Sequence, residues 1–152
     1  MKKELQKLIN ELESLVLNSE KTKLTVSSQN VGWHIQHSLL VINQIIIALE
    51  QSKPKEYKWK FNFWRLVVMG RNKIPRGKGK APSRVIPRET ITKELLESTI
   101  NDAKNRINHL DGLERNHFFT HPFFGDLNLK PTVQFINLHT QHHIDIIRDV
   151  LS

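Results

Sequence analysis

Apolar residues at helical spacing, one long irregular connection and short links elsewhere predict an all-α chain, a four-helix bundle with a long crossover between its second and third helices. Four segments of the 152-residue chain place apolar side chains at the i, i+3, i+4 spacing that buries one helical face. Between the second and third lie about forty residues, approximately 52–91, interrupted by Pro and Gly, whereas the other links are short. The length suits a single domain, 1–152, able to bury a core without staples.

The first helix is expected from about Lys2 to Asn18, with Leu5, Leu8, Ile9, Leu12, Leu15 and Val16 on its buried face and Lys and Glu opposite. Ser27 or Ser28 is a candidate cap for a second helix running to about Gln51. Val31, Leu39, Leu40, Ile42, Ile45, Ile46, Ile47 and Leu49 make that helix apolar almost all round, so it should be central. Its breadth also permits a homodimer, with one face left to cover.

Lys53-Pro54-Lys55 ends the second helix. Tyr57, Trp59, Phe61 and Phe63 then alternate with polar residues, which predicts an extended segment packing its aromatics onto the bundle. Trp64 to Met69 reads as a short helix closed by Gly70. Arg71 to Arg88, with three prolines and two glycines, is an irregular connection. A third long helix should start at about Thr92, capped by its hydroxyl, and stop near Gly112. After the loop His117-Phe118-Phe119-Thr120-His121-Pro122-Phe123-Phe124-Gly125, Asn128 caps the last helix, and Pro131 sits in its first turn.

The composition narrows the chemistry. With no cysteine, disulfides, thiolate catalysis and Cys-held zinc are excluded, so any metal must be held by His, carboxylate or water. No apolar run approaches the ~18 residues of a membrane span, and Met1-Lys2-Lys3-Glu4 leads into a charged amphipathic pattern rather than a signal-peptide core. A cytoplasmic protein with no membrane partner is the expectation. Most of the net charge of +8 is concentrated in one acid-free stretch holding Arg71, Lys73, Arg76, Lys78, Lys80, Arg84 and Arg88.

Histidines carry the candidate chemistry. His139 and His143 lie about 40° apart and one turn along the last helix, so two imidazoles can grip one divalent ion. The stretch Gly32-Trp33-His34-Ile35-Gln36-His37-Ser38 supplies a third ligand, either His37 or its neighbour His34. Zinc, nickel, iron or copper would all accept such donors. His142, about 60° from His139, is a polar flank, a proton shuttle or a partner of a ligand. Gln36, Gln141 and Asp145 are further partners for the ligands, or simply an exposed face. His121 stands either at the mouth of the site or in a turn in which Phe123 and Phe124 plug the bundle end; the structural role is favoured.

Trp33-His34-Ile35-Gln36-His37-Ser38 with His139-Thr140-Gln141-His142-His143 resembles the DinB-like superfamily of metal-binding four-helix bundles. His121-Pro122-Phe123-Phe124-Gly125-Asp126-Leu127 and Lys80-Ala81-Pro82 resemble one uncharacterised branch of it, a domain of unknown function. The resemblance spans nearly the whole chain. It implies a three-histidine site made of His37, His139 and His143, with open positions for water or a small-molecule substrate. It also implies an activity among metal-dependent hydrolases, isomerases and thiol-dependent S-transferases. The basic connection offers the alternative: an anion- or nucleic-acid-binding module using Arg71, Lys73, Arg76, Lys78, Lys80 and Arg84, or cations that hold an anionic substrate at the metal end. No carboxylate is placed by the sequence as a general base.

Overall fold

The computed structural model describes residues 1–77 and 82–152. Five α-helices and one two-stranded antiparallel sheet are formed among the described residues: α1 Lys2–Ser14, α2 Val31–Gln51, α3 Phe63–Arg71, α4 Lys93–Arg106, β1 Phe118–His121, β2 Gly125–Asn128 and α5 Leu129–Leu151. The chain is mostly helical, as expected, but the hairpin amends a purely α reading. No helix among the described residues is long and apolar enough to cross a membrane.

α2 is central. Ile35, Leu39, Ile42, Ile46 and Leu49, all at 0% exposure, alternate steps of four and three residues and so form one continuous seam. Full burial of each contributes on the order of 1.5–3 kcal/mol. α2 packs against α4 and α5, and α1 packs against the same two helices. The remaining breadth of α2 is covered within the chain by the hairpin and by a 3-10 turn, Ser83–Val85, on the crossover.

Element ends differ from the sequence reading where side-chain chemistry was ambiguous. Asn30, not Ser27 or Ser28, caps α2, its Oδ1 accepting the Trp33 N–H at 2.8 Å. Gly32, two residues after Asn30, lets α2 start against the preceding chain: its N–H donates to Ser19 O at 2.8 Å, and an added Cβ would stand 3.2 Å from that oxygen. The first and third predicted helices each finish as 3-10 turns, Val16–Asn18 and Ile107–Gly112. Thr92 caps α4 as expected, accepting from Leu95 N–H at 3.2 Å. Asn128 is the N-cap residue of α5 but makes no side-chain cap bond; Thr132 Oγ1 instead donates to Leu127 O at 2.6 Å.

Two corrections concern the connections. The loop before α5 is a hairpin with Phe118 paired to Asn128 and His121 to Gly125, turned through Gly125 at φ +68°. Phe124 is buried but Phe123 is exposed, so only one of the two rings plugs the core. The aromatic run ahead of α3 is extended, but only Tyr57 packs inward, half-buried with its ring 5.9 Å from Phe118, because α3 leans on the core only through Val68 and Met69. Trp59, Phe61 and Phe63 therefore remain exposed. α3 ends at Asn72 in the left-handed region, φ 50°, rather than at Gly70.

Candidate metal centre

The pairing of α2 with α5 brings His37, His139 and His143 together. One ring nitrogen from each lies within 4.8 Å of the others. Ring centroids are 4.6 Å apart for His139 and His143, 4.7 Å for His37 and His143, and 5.2 Å for His37 and His139. Ligand nitrogens about 2.0–2.1 Å from a tetrahedral ion stand about 3.3 Å apart, closer than the 4.8 Å within which these three lie.

Hydrogen bonds orient two of the three rings. His37 Nδ1–H donates to Val85 O at 2.7 Å; a carbonyl only accepts, so the proton sits on Nδ1 and Nε2 keeps its lone pair. The Trp33 ring stacks on His37, 4.9 Å between centroids and 16° between planes, fixing its plane from the other side. His143 Nδ1 and His34 Nδ1 are 3.0 Å apart, and His34 Nε2 is 2.9 Å from Ser27 Oγ. With His143 Nδ1–H donating to His34, His34 Nε2–H donates to Ser27, and His143 Nε2 is left bare. His34 thus engages both of its nitrogens in hydrogen bonds, and the ring nitrogens that fall within 4.8 Å of one another are those of His37, His139 and His143.

The charge state suits a cation. Burial holds His139 well below the usual imidazole range, reinforced by His37, His142 and His121. Burial also lowers His143, with His139, His37 and His34 adding to it, and lowers His37 against the opposing pull of Val85. Burial, then His37, His142 and Arg76, brings His34 down to about 4. The cluster is neutral at pH 7, the state in which imidazole binds metal. His139 Nδ1 is buried without a hydrogen-bond partner among the described residues, an arrangement costly for a purely structural ring. Three neutral imidazoles with lone pairs to spend fit a divalent ion.

The other predicted residues divide. His142 lies beside the cluster, its ring 5.2 Å from His143, and is lowered by burial and then by Arg76. Arg76 ion-pairs with Asp149 of α5 at 2.8 Å, so this part of the basic connection does reach the metal end. Arg84 is exposed on the Ser83–Val85 turn, next to the residue that orients His37. Arg71 and Lys73 are exposed at the end of α3, and Lys78 and Lys80 lie outside the described residues. His121 is spent in the hairpin: its Nδ1 accepts the N–H groups of Phe123 and Phe124 at 3.1 and 3.2 Å, and its ring stacks on Phe124 at 4.3 Å. Gln141 and Asp145 bond each other on the outer face of α5. Gln36 turns away into a groove of about 570 Å³ between α2, α4 and the Ser83–Val85 turn. There its Oε1 and Asn43 Oδ1 are buried without partners among the described residues.

Sequence reasoning missed Val85 and Ser27. Val85 acts through a backbone carbonyl, which leaves no trace in residue type. Ser27 is, with Ser28, a candidate cap by sequence; the signal that points to its contact with His34 is a hydroxyl just ahead of the histidine-bearing turn. Comparisons with family models, with curated proteins and with solved structures give no match.

Proposed function

We propose that the chain is a metal-dependent enzyme of the DinB-like type, a four-helix bundle in which His37, His139 and His143 hold one divalent ion facially and leave open positions for a small-molecule substrate. The observation that carries this reading is the convergence of three neutral imidazoles from two helices, two of them oriented by hydrogen bonds through the opposite ring nitrogen. A zinc, nickel or iron ion so held supplies Lewis acidity, the basis of metal-assisted hydrolysis and group transfer. The chain's own residues do the rest. Val85 and Trp33 fix His37, while Ser27 and His34 hold the proton on His143 Nδ1 and keep its Nε2 aimed inward. His142, partly buried and making no hydrogen bond among the described residues, moves protons at the mouth of the site. Arg76 and Arg84 bring positive charge to the same end and favour an anionic substrate.

The test is elemental analysis of protein purified without an affinity tag, in wild type and in His37→Ala and His139→Ala. Near-stoichiometric metal in the wild type, lost in both variants, is expected. A wild type that takes up no zinc, nickel or iron after incubation would overturn the enzyme reading. Salt-dependent retention on DNA, unchanged by a chelator, would then favour the anion-binding alternative.

A further inference from the structure

Five of the eleven large apolar side chains exposed among the described residues lie close together on the crossover, between positions 59 and 66. Trp59, Phe61, Phe63, Trp64 and Leu66 are 67, 69, 58, 66 and 64% exposed, and Phe123 is 63% exposed. Phe123 adjoins them, its carbonyl accepting from Asn62 Nδ2–H at 2.8 Å. Six such side chains present roughly 700–900 Å², taking 150–250 Å² for a whole aromatic. Monomers ordinarily tolerate a largest patch of about 300–600 Å².

The display is held in place. Asn62 Oδ1 caps α3 by accepting Arg65 N–H at 2.8 Å. The Arg65 guanidinium donates to Lys60 O at 2.6 Å and to Asp126 O at 3.2 Å, and lies 5.8 Å from the centre of the Trp59 ring. The aromatics are thus fixed outward by hydrogen bonds to the hairpin.

Charge selects the partner. From Tyr57 to Arg88 the sequence has ten cations and no carboxylate. Lys58, Lys60, Arg71 and Lys73 are exposed and make no ion pair among the described residues. A second copy seated on this face would oppose like charges. A nucleic acid could stack on the rings but has nothing to offer Leu66 or the half-buried Val67 beside it. The interface of an anionic bilayer uses all of these groups: aliphatic and Phe side chains at the acyl boundary, Trp at headgroup depth, Lys and Arg on the anionic headgroups. We propose that α3 and the run before it dock in the plane of an anionic lipid surface, without crossing it. This departs from the expectation of no membrane partner, which rested on the lack of a spanning segment.

The experiment mixes the full chain with vesicles of phosphatidylcholine and phosphatidylglycerol at about 7:3, a surface of moderate negative potential, and reads sedimentation and tryptophan emission. Expected are co-sedimentation and a blue shift from Trp59 and Trp64, both weakened by added salt and absent with phosphatidylcholine alone. Phe63→Ser combined with Leu66→Ser keeps both reporters and should weaken binding by at least about tenfold. Lys58→Glu with Lys60→Glu should also weaken it. These positions are exposed, so unchanged melting temperatures certify the fold. Failure of the wild type to bind, or binding indifferent to the Phe63/Leu66 pair, would overturn the proposal. So would a lipid-free blue shift that grows with protein concentration, which indicates a second copy, or tighter binding to oligo-dT than to the vesicles.

Discussion

His121 makes the acid stability of this protein calculable. Burial lowers its pKa from 6.5 to about 4, and its Nδ1 accepts two backbone N–H groups, a role only the neutral ring with its proton on Nε2 fills. Because the folded pKa is depressed, the stability tied to this neutral ring is complete above pH 6.5 and is lost as the pH falls toward 4. Lowering the pH from 7 to 5 traverses about one and a half of the two and a half units, at about 1.36 kcal/mol each, so His121 alone should cost the fold about 2 kcal/mol. For a domain of this size that is a fall of about 4–8 °C in melting temperature. His121→Asn isolates the term, since the amide oxygen takes the place of Nδ1 as acceptor and does not titrate. The variant should be less stable than wild type at pH 7, having lost the ring stacked on Phe124, yet lose about 2 kcal/mol less on going to pH 5. Urea unfolding of metal-free protein at both pH values gives the double difference, in which the histidines that do not interact with His121 cancel and His139, lowered in part by His121, contributes only its small coupling. Equal losses in variant and wild type would refute the buried, neutral assignment.

Three further outcomes are expected. Metal at about a hundred times its dissociation constant should stabilise the wild type by about 2.7 kcal/mol, some 5–11 °C by calorimetry, and leave His139→Ala unmoved. His34→Phe removes the acceptor for His143 Nδ1–H and should weaken metal affinity about 10–100-fold in a competitive chelator titration while His37, His139 and His143 remain. Asn43→Leu replaces a buried amide without a partner by an apolar group of similar size beside Leu40 and Ile47; denaturant unfolding should find it neutral or stabilising, where Ile42→Ala should cost about 2–5 kcal/mol.

Much of the fold could be read from the sequence wherever periodicity was long. α2 and α5 are long enough to be read as helices, α2 from its near-continuous apolar run and α5 from its 3.6-residue repeat, and that register alone put His139 and His143 on one face. The Thr92 cap was readable because a hydroxyl stood directly before an apolar repeat. Ser27 failed by the same rule, because Asn30 had the better position and the serine was committed to His34. The hairpin escaped because four-residue strands such as Phe118–His121 carry too few alternations to register. The aromatic run failed in the opposite sense: its alternation is real, but alternation specifies two faces and not which one is buried. On the residues alone His37 and His34 remained rivals, because on a helix wheel both face α5; the resemblance named His37, and the structure groups its ring nitrogen with those of His139 and His143 while His34 bonds to Ser27.

The placement of the cluster also bears on the order of events in folding. His37 and His143 are 106 positions apart in sequence, and α1 reaches α5 through Arg148 and Glu11 over a similar span. A site assembled from such distant segments has no precursor in any local stretch, so its closure must follow the slow, entropically opposed search that brings the two ends of the chain together. An ion can be gripped by His139 and His143 as soon as α5 forms, but the third bond waits for nearly the whole topology. If the chain holds an ion as proposed, full-strength capture would act as a seal on the finished fold rather than as its seed.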